Sequence, residues 1–300
     1  MALSSYSGKV NSEGLELQQH GTAMFPAGCY HDDLTYENVP WHWHDELEVL
    51  IVTEGAAVCA TDREQTSLRT GEGCFFNADV LHAVWKEGGG VCRLHSISFH
   101  PRLVGGAVES VFWQKYLLPL TENKQLQMRK FSQADAQTLH DIETAWQSCV
   151  QEPFGYEFLA RNALSAVILE LAQHAPAKPT APSKRALLRE ERIKLMLNYI
   201  RSHIRDEITV AQIAEAASVS ESECVRCFRG VIHTPPIQYV KQYRLQQAAE
   251  MLRSTDKRVN EIGEECGFQE MSYFAKAFRE QYDMTPTEFR KKSAEQKDGE

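Results

Sequence analysis

The 300-residue sequence predicts an α+β multidomain fold: an N-terminal β domain with following helices, then a C-terminal all-α domain of two helix-turn-helix units on a connecting helix. Three observations predict this organisation. Short strand patterns run from Trp41 to Phe99. A proline-rich segment, residues 175–183, then interrupts the chain. After it, one helical pattern is written twice, with an offset of about 50 residues.

Residues 1–40 are mostly irregular in pattern and uninformative. From residue 41 onwards, alternating apolar and polar residues predict strands, a glycine at 55 predicts a turn, and three glycines at 88–90 predict a hairpin loop. The predicted strands cover residues 41–44, 47–53, 56–61, 74–77, 82–85 and 91–99. Several strands at this spacing are typical of a closed or double-sheeted β domain.

Four side chains in this region are candidates for a binding site. His42, His44 and Glu48 share even parity, so on one strand all three side chains would project to the same face. His82 follows one hairpin later. The pattern therefore predicts three imidazoles and one carboxylate close together.

The spacing HxH-x3-E-x6-G, which begins at His42, resembles the first motif of the cupin jelly roll, and Gly71 with His82 resembles the second. Asn77 and Asp79 stand in place of its usual proline and glycine. The resemblance implies a jelly-roll barrel with inward-pointing histidines and glutamate. These side chains would line an effector pocket, or would hold a divalent metal such as Zn, Fe, Ni or Mn. Both roles stay open for His42, His44, Glu48 and His82.

The helical patterns after the β domain set the domain boundaries. Amphipathic helices are predicted at residues 135–150 and 154–174; they either cover the barrel wall or make a dimer contact, and both roles can hold together. Prolines at 176, 179 and 182 predict a semi-stiff linker. The predicted domains are residues 1–175 for effector binding and dimerisation, 176–186 for the linker, 187–292 for the double helix-turn-helix and 293–300 for a tail.

Each repeated unit has the pattern of a helix-turn-helix. Ser or Thr followed three residues later by Gln or Glu marks capping boxes at Thr209, Ser220 and Thr285. Between the units, residues 236–252 predict one connecting helix. Two units on one rigid helix suit two successive major grooves, about 34 Å apart. A helical bundle for protein contacts is the alternative.

The second unit contains residues 262–268 (IGEECGF), 272–274 (SYF), 278–279 (FR), 285–286 (TP) and 289–290 (FR). With them, residues 190–292 resemble the DNA-binding domain of the AraC/XylS transcription regulators. Gly263 stands where that family usually has alanine, and Ser218 stands where glycine is frequent. His233 and Asp283 replace a glycine after each recognition helix. We expect these two residues to adopt φ > 0, which Asp and His tolerate better than most residues.

The resemblance also places the residues that would contact DNA, and the core residues Cys224, Phe228, Phe274 and Phe278 beneath them. For Arg226 two roles are open: a bidentate contact to guanine, or an ion pair with Glu223 or Glu221. Arg229 and Arg279 are predicted to meet phosphate or acidic neighbours. The positions matching the family's base-reading places are Ser222, Val225 and Arg226 in the first unit and Met271, Ser272, Ala275 and Lys276 in the second.

The charge distribution is unequal along the chain. Residues 1–175 carry 11 basic and 22 acidic residues, whereas residues 176–300 carry 21 and 19. DNA-binding domains are usually more basic than this, so we expect modest and strongly salt-dependent affinity. The eight scattered cysteines predict reduced cytoplasmic thiols rather than disulfides. Cys224 and Cys227 form a CxxC that we interpret as core, without zinc or redox chemistry.

Together the two resemblances imply a cytoplasmic, sequence-specific transcription regulator without enzymatic activity or membrane attachment. Its implied partners are double-stranded promoter DNA, a small-molecule effector in the barrel, a second copy of the chain and, if it is an activator as is commoner in the family, RNA polymerase. Two alternatives stay open. One is a metal-dependent cupin enzyme, of the dioxygenase or isomerase type, fused to a DNA-binding domain. The other is a sensor whose effector is a metal ion.

Overall fold

A computed structural model describes residues 20–36, 38–174 and 184–297 of the chain. The chain divides into two compact units, with the boundary between Glu190 and Glu191. Most of the predicted linker, residues 176–186, lies outside the described residues, as does the end of the predicted tail. The predicted domain boundaries therefore stay a prediction. Among the described helices, none is long and apolar enough to cross a membrane.

The first unit is built on two antiparallel sheets. The larger sheet has the strand order β1-β8-β3-β6-β9, and the smaller one has the order β2-β7-β4-β5. The strands are β1 (Ala27–Asp33), β2 (Val39–His42), β3 (Leu47–Glu54), β4 (Ala56–Thr61), β5 (Gln65–Arg69), β6 (Gly73–Phe76), β7 (His82–Lys86), β8 (Arg93–Phe99) and β9 (Met128–Phe131).

Glycines make two of the turns that carry the chain from one sheet to the other. Gly55, with φ of 82°, carries it from β3 to β4, and a Cβ there would lie 2.1 Å from the carbonyl oxygen of Val91. Residues 88–90 carry it from β7 to β8, which belong to different sheets. The prediction of a hairpin loop at residues 88–90 was therefore wrong, because a glycine-rich loop suits any sharp change of direction and does not specify the pairing.

Three strands were missed from the sequence. Residues 1–40, interpreted as mostly irregular, contain β1, which pairs with β8 along all seven of its residues. Its sequence, AGCYHDD, has few strand-favouring residues, and the pairing with β8 stabilises it instead. β5 buries only Leu68, and β9 has just four residues, so neither shows a clear alternation.

Two long helices cover the outer face of the larger sheet. They are α3 (Ala136–Gln151) and α4 (Tyr156–His174), close to the predicted bounds; two short helices, α1 (Arg102–Gly105) and α2 (Leu118–Thr121), precede them. Odd-numbered strand residues such as Val49, Phe75 and Ile97 pack against these helices in one core. Even-numbered residues such as Leu50 and Phe76 face the space between the sheets. The predicted covering of the barrel wall is thus confirmed.

The remaining described helices are α5 (Lys184–Ser202), α6 (Val210–Ala216), α7 (Glu221–Val231), α8 (Pro236–Ser254), α9 (Val259–Glu265), α10 (Met271–Tyr282) and α11 (Pro286–Lys297). The pairs α6–α7 and α9–α10 are the two helix-turn-helix units, and α8 connects them. The predicted fold, with an N-terminal β domain and an all-α C-terminal domain, is confirmed.

The helix ends follow the predicted caps, with one difference. Thr209 and Gln212 form a reciprocal capping box at α6, and Thr285 and Glu288 exchange the same bonds at α11. The Ser220 hydroxyl accepts a hydrogen bond from the N–H of Glu223, at 3.2 Å. The Glu223 carboxylate does not return to Ser220 but contacts arginines. Ion pairs of Glu223 with Arg192 and Arg226 take the place of the hydrogen bond that would return to the backbone N–H of Ser220.

The predicted left-handed positions are confirmed. His233, which follows the C-cap residue of α7, has φ of 57°. Asp283, which is the C-cap residue of α10, has φ of 56°. In the turns inside the two units, Ser218 has φ of 52° and Gly267 has φ of 81°. The repeat therefore extends to the backbone conformation of its turns.

Asp283 offers a test of this backbone requirement. Asp283→Ala should lower the free energy of unfolding by about 1 kcal/mol, because a Cβ without a polar side chain makes the left-handed conformation costly. Asp283→Gly should be neutral or slightly stabilising. Urea unfolding measures both variants, with Gln281→Ala, at an exposed position of α10, as the control. Equal stability of the Asp283→Ala and Gln281→Ala variants would contradict the requirement.

Candidate effector site and DNA-binding surface

The four predicted site residues meet between the two sheets. His42 ends β2 and pairs directly with His82 at the start of β7, while Glu48 comes from β3 of the other sheet. His44 lies in the segment between β2 and β3. All four are buried, and their candidate ligand atoms lie within 4.8 Å of one another.

The reason predicted for this convergence was wrong in one respect. His42, His44 and Glu48 do not share one strand, because β2 ends at His42 and the chain bends at residues 45 and 46 before β3 begins. The bend moves the chain from the smaller sheet to the larger one. It brings His44 and Glu48 face to face across the interior, with His44 Nε2 3.2 Å from Glu48 Oε2.

Each of three imidazoles is fixed by a backbone carbonyl. The Nδ1 atoms of His42, His44 and His82 lie 2.8, 3.1 and 2.8 Å from the carbonyl oxygens of Pro40, Glu46 and Val80. An imidazole nitrogen facing a carbonyl must carry the proton, so in the neutral ring the lone pair is on Nε2. In metal-binding histidines, the ring nitrogen that does not bind the metal usually makes a contact of this kind.

The electrostatics of the cluster favour a positive charge within it. Burial alone would raise the pKa of Glu48, but hydrogen bonds with His44 and His82 outweigh it and hold that pKa well below its usual range. Glu48 Oε2 also lies 3.3 Å from His82 Nε2. If both rings were neutral, the Nε2 lone pairs of His44 and His82 would face the carboxylate of Glu48 and repel it. Either protonated imidazoles or a bound cation relieve this repulsion, and the donor set fits Zn, Fe, Ni or Mn.

The two departures from the cupin pattern are accommodated by hydrogen bonds and backbone conformation. The Asn77 amide donates to the carbonyl oxygens of Leu120 and Leu126, at 2.8 and 3.0 Å. Asp79 adopts φ of 61°, the conformation for which the usual glycine is suited. Neither departure therefore displaces His82, three to five residues further on.

A small cavity adjoins the cluster. Its volume, counted as space open to the centre of a water molecule, is about 20 Å³. That is room for an ion or a water molecule, whereas sites for organic ligands usually exceed about 300 Å³. Most of its lining was not predicted from the sequence, although the even positions of Asp32 in β1 and of Ser96 and Ser98 in β8 could have indicated it. The lining residues are His20, Tyr30, Asp32, Val39, His42, Glu48, Ser96 and Ser98.

The two recognition helices, α7 and α10, present the same faces. Cys224, Phe228, Phe274 and Phe278 are buried, as predicted. Burial raises the pKa of the Cys224 thiol to about 11, which agrees with a core residue rather than a metal ligand. The predicted DNA-contact positions lie opposite. Those that are exposed are Ser222, Arg226, Arg229, Ser272, Lys276 and Arg279; those that are half-buried are Val225, Met271 and Ala275.

Two of these positions have neighbours that the repeat did not indicate. Arg226 forms an ion pair with Glu223, the alternative that the sequence left open, although its side chain remains 66% exposed. Met271 packs against Gly263, where a Cβ would lie 2.8 Å from the Met271 sulfur. The thioether thus fills the space of the alanine usual in the AraC/XylS pattern.

A β domain with a buried polar site, joined to two helix-turn-helix units, defines a transcription regulator with a ligand-binding domain. Comparison with known families agrees with this class. An AraC-like ligand binding domain matches residues 27–190, and a helix-turn-helix domain matches residues 213–292. The chain belongs to the AraC family of transcription regulators, as its sequence motifs indicated.

Relatives match this chain along most of its length. An uncharacterised helix-turn-helix transcriptional regulator, YdeC of Bacillus subtilis, is 28% identical over 92% of this chain and 95% of its own. The transcriptional activator RhaS of Klebsiella pneumoniae is 23% identical over 90% and 96%. Among solved structures, fatty-acid-bound ToxT of Vibrio cholerae covers 88% of this chain and 94% of its own, at 11% identity and a TM-score of 0.47.

Proposed function

We propose that the chain reads promoter DNA with both recognition helices, and that Arg226 and Lys276 make the principal base contacts. The observation that carries this proposal is the repeated face: from residue 224 to residue 230 of α7, each residue is as buried or as exposed as the residue of α10 that lies 50 positions further on. Arg229 and Arg279, one turn further along, would contact phosphates. Selection from a random duplex library tests the proposal. We expect two preferred blocks about 10 base pairs apart, and a single block would contradict it.

For the β domain we propose that His42, His44, Glu48 and His82 bind a divalent metal. Their convergence, burial and carbonyl-fixed Nδ1 atoms support it. A bound metal would supply a Lewis-acidic centre with open positions for an effector. The carbonyl oxygens of Pro40, Glu46 and Val80 fix the orientation of the imidazoles and leave their Nε2 lone pairs directed into the site.

The small cavity favours a second candidate, in which the metal ion itself is the effector. Space of about 20 Å³ accepts an ion but not an organic molecule in this conformation. DNA binding measured with and without added metal, in the absence of any organic compound, separates the two. A change in affinity on adding metal alone supports the metal sensor. The metal-dependent enzyme has weaker support, since the relatives named above are transcriptional regulators.

We further propose that the regulator acts in the cytoplasm as a homodimer and contacts RNA polymerase as an activator. The name of the RhaS relative, an activator, supports the direction of regulation. Exposed apolar side chains support the dimer: around the start of α4, Phe154, Phe158 and Leu159 are 107, 69 and 48% exposed. Such a patch often marks a protein interface.

Sedimentation of fragments tests the dimer. A fragment of residues 1–175 should sediment as a dimer at micromolar concentration, and residues 184–300 should bind DNA weakly as a monomer. Phe158→Glu with Leu159→Glu should convert the first fragment to a monomer, because two charges would be buried in the interface. Gln65→Glu, on exposed β5, is the control. A wild-type fragment that sediments only as a monomer would remove the dimer.

A further inference from the structure

We infer that Glu223 is a positioning residue for DNA recognition, which holds the guanidinium of Arg226 in the orientation needed for a base contact. This inference rests on the proposed base-reading role of Arg226. It assigns a specificity role to an acidic residue on the DNA-binding face, where a negative charge would otherwise only repel phosphates.

The carboxylate of Glu223 is held on both sides. Its Oε2 contacts the guanidinium of Arg226, one turn further along α7. Its Oε1 lies 3.5 Å from Arg192 on α5 and 3.8 Å from the thiol of Cys227. Since Cys227 belongs to the core and Arg192 to another helix, the carboxylate has a fixed position. Glu223 is only 26% exposed, in agreement with a seated side chain.

Arg226, by contrast, lies mostly in solvent. At 66% exposure, its long side chain would populate many rotamers, and a bidentate contact to guanine would have to select one of them. The ion pair with Glu223 restricts those rotamers before DNA arrives. Because pre-ordering lowers the entropy cost of binding, the restriction favours the base contact. The Glu223 carboxylate also opposes non-specific contact of this face with phosphates.

In the described part of the second unit, no carboxylate takes the place of Glu223. The position that repeats Glu223 is Tyr273, whose ring receives the ammonium of Lys241 at 5.7 Å. Lys276, the repeat partner of Arg226, has no ion pair among the residues that the structure describes. The two units therefore differ: the first has a directed guanidinium, and the second has an ammonium on a flexible chain. We expect the base preference of the first unit to be the sharper one.

The neutral variant Glu223→Gln tests the inference in the full chain. It keeps the backbone N–H that bonds to Ser220, so the cap of α7 is retained. Binding is measured to a duplex selected by the protein from a random library and to its scrambled version. Glu223→Gln should strengthen binding to the scrambled duplex and lower the ratio of selected to scrambled affinity about tenfold, a coupling usual for contacting residues. Glu221→Gln, an equal charge change on the exposed first turn of α7, is the control.

A double-mutant cycle separates positioning from charge. In an Arg226→Ala background, Glu223→Gln should no longer change the affinity ratio. If Glu223→Gln and Glu221→Gln lower the ratio equally, the effect is one of charge alone and the positioning role is wrong, while the reading role of Arg226 stands. If Arg226→Ala itself leaves the ratio unchanged, both the reading role and the positioning role are wrong.

Discussion

Arg226→Ala should weaken binding to the cognate duplex by about 1–3 kcal/mol and relax the preference at one base pair. A guanidinium donates two parallel hydrogen bonds to guanine O6 and N7, and a methyl group replaces neither. Arg226 is exposed on α7, and its Nη2 contact with Glu223 leaves other N–H donors of the guanidinium for a base. Fluorescence anisotropy on duplexes varied one base pair at a time measures both effects.

Arg229→Ala is the matched control for this variant. Arg229 lies on the same helix, with the same charge and similar exposure, but it is predicted to meet phosphate. Its loss should weaken binding to all sequences alike. The slope of the logarithm of affinity against the logarithm of salt concentration should fall by about one. If Arg226→Ala lowers the affinity for cognate and scrambled DNA equally, then Arg226 contacts only phosphate.

Replacing both His44 and His82 by alanine should abolish stoichiometric metal binding. The two imidazoles lie 3.2 and 3.3 Å from one oxygen of Glu48, so their loss removes two of the four donors and leaves a buried carboxylate with little compensation. Elemental analysis of purified protein measures the metal content. The wild-type chain should retain about one divalent ion, and the double variant should retain none.

Two histidines outside the cluster provide the control. His140 and His174 lie exposed on α3 and α4, so His140→Ala with His174→Ala should leave the metal content unchanged. Circular dichroism checks that the His44 and His82 variant is folded. Unchanged metal content in a folded double variant would mean that the cluster is not the metal site. Metal absent from the wild-type chain, even after purification with added Zn²⁺, would remove the metal-dependent functions together.

The features that sequence analysis predicted correctly depend mostly on local periodicity. The buried and exposed sides of α7 and α10 follow from the helical repeat, so Cys224, Phe228, Phe274 and Phe278 could be placed in the core. Asp283 could be assigned a left-handed conformation because it stands where a helix ends. Such features depend on a few neighbouring residues, and those neighbours are visible in the sequence.

Strand pairing was not local in this sense. β1 was missed because β8, about 60 residues away, supplies its hydrogen bonds. The glycines at 88–90 indicated a turn, but not that the flanking strands belong to different sheets. A turn sequence fixes the local direction of the chain, whereas the partner of a strand is chosen by distant residues.

The site shows the same division. By itself, the sequence determined the family and which four side chains could form a metal site, because residue type and spacing carry that information. Only the tertiary structure decided how they meet, through the bend at residues 45 and 46 and the carbonyls that fix three imidazoles. It also decided that Glu223 lies between Arg192 and Arg226. Hydrogen bonds and ion pairs depend on atoms brought within about 3 Å of each other, and folding alone sets those distances.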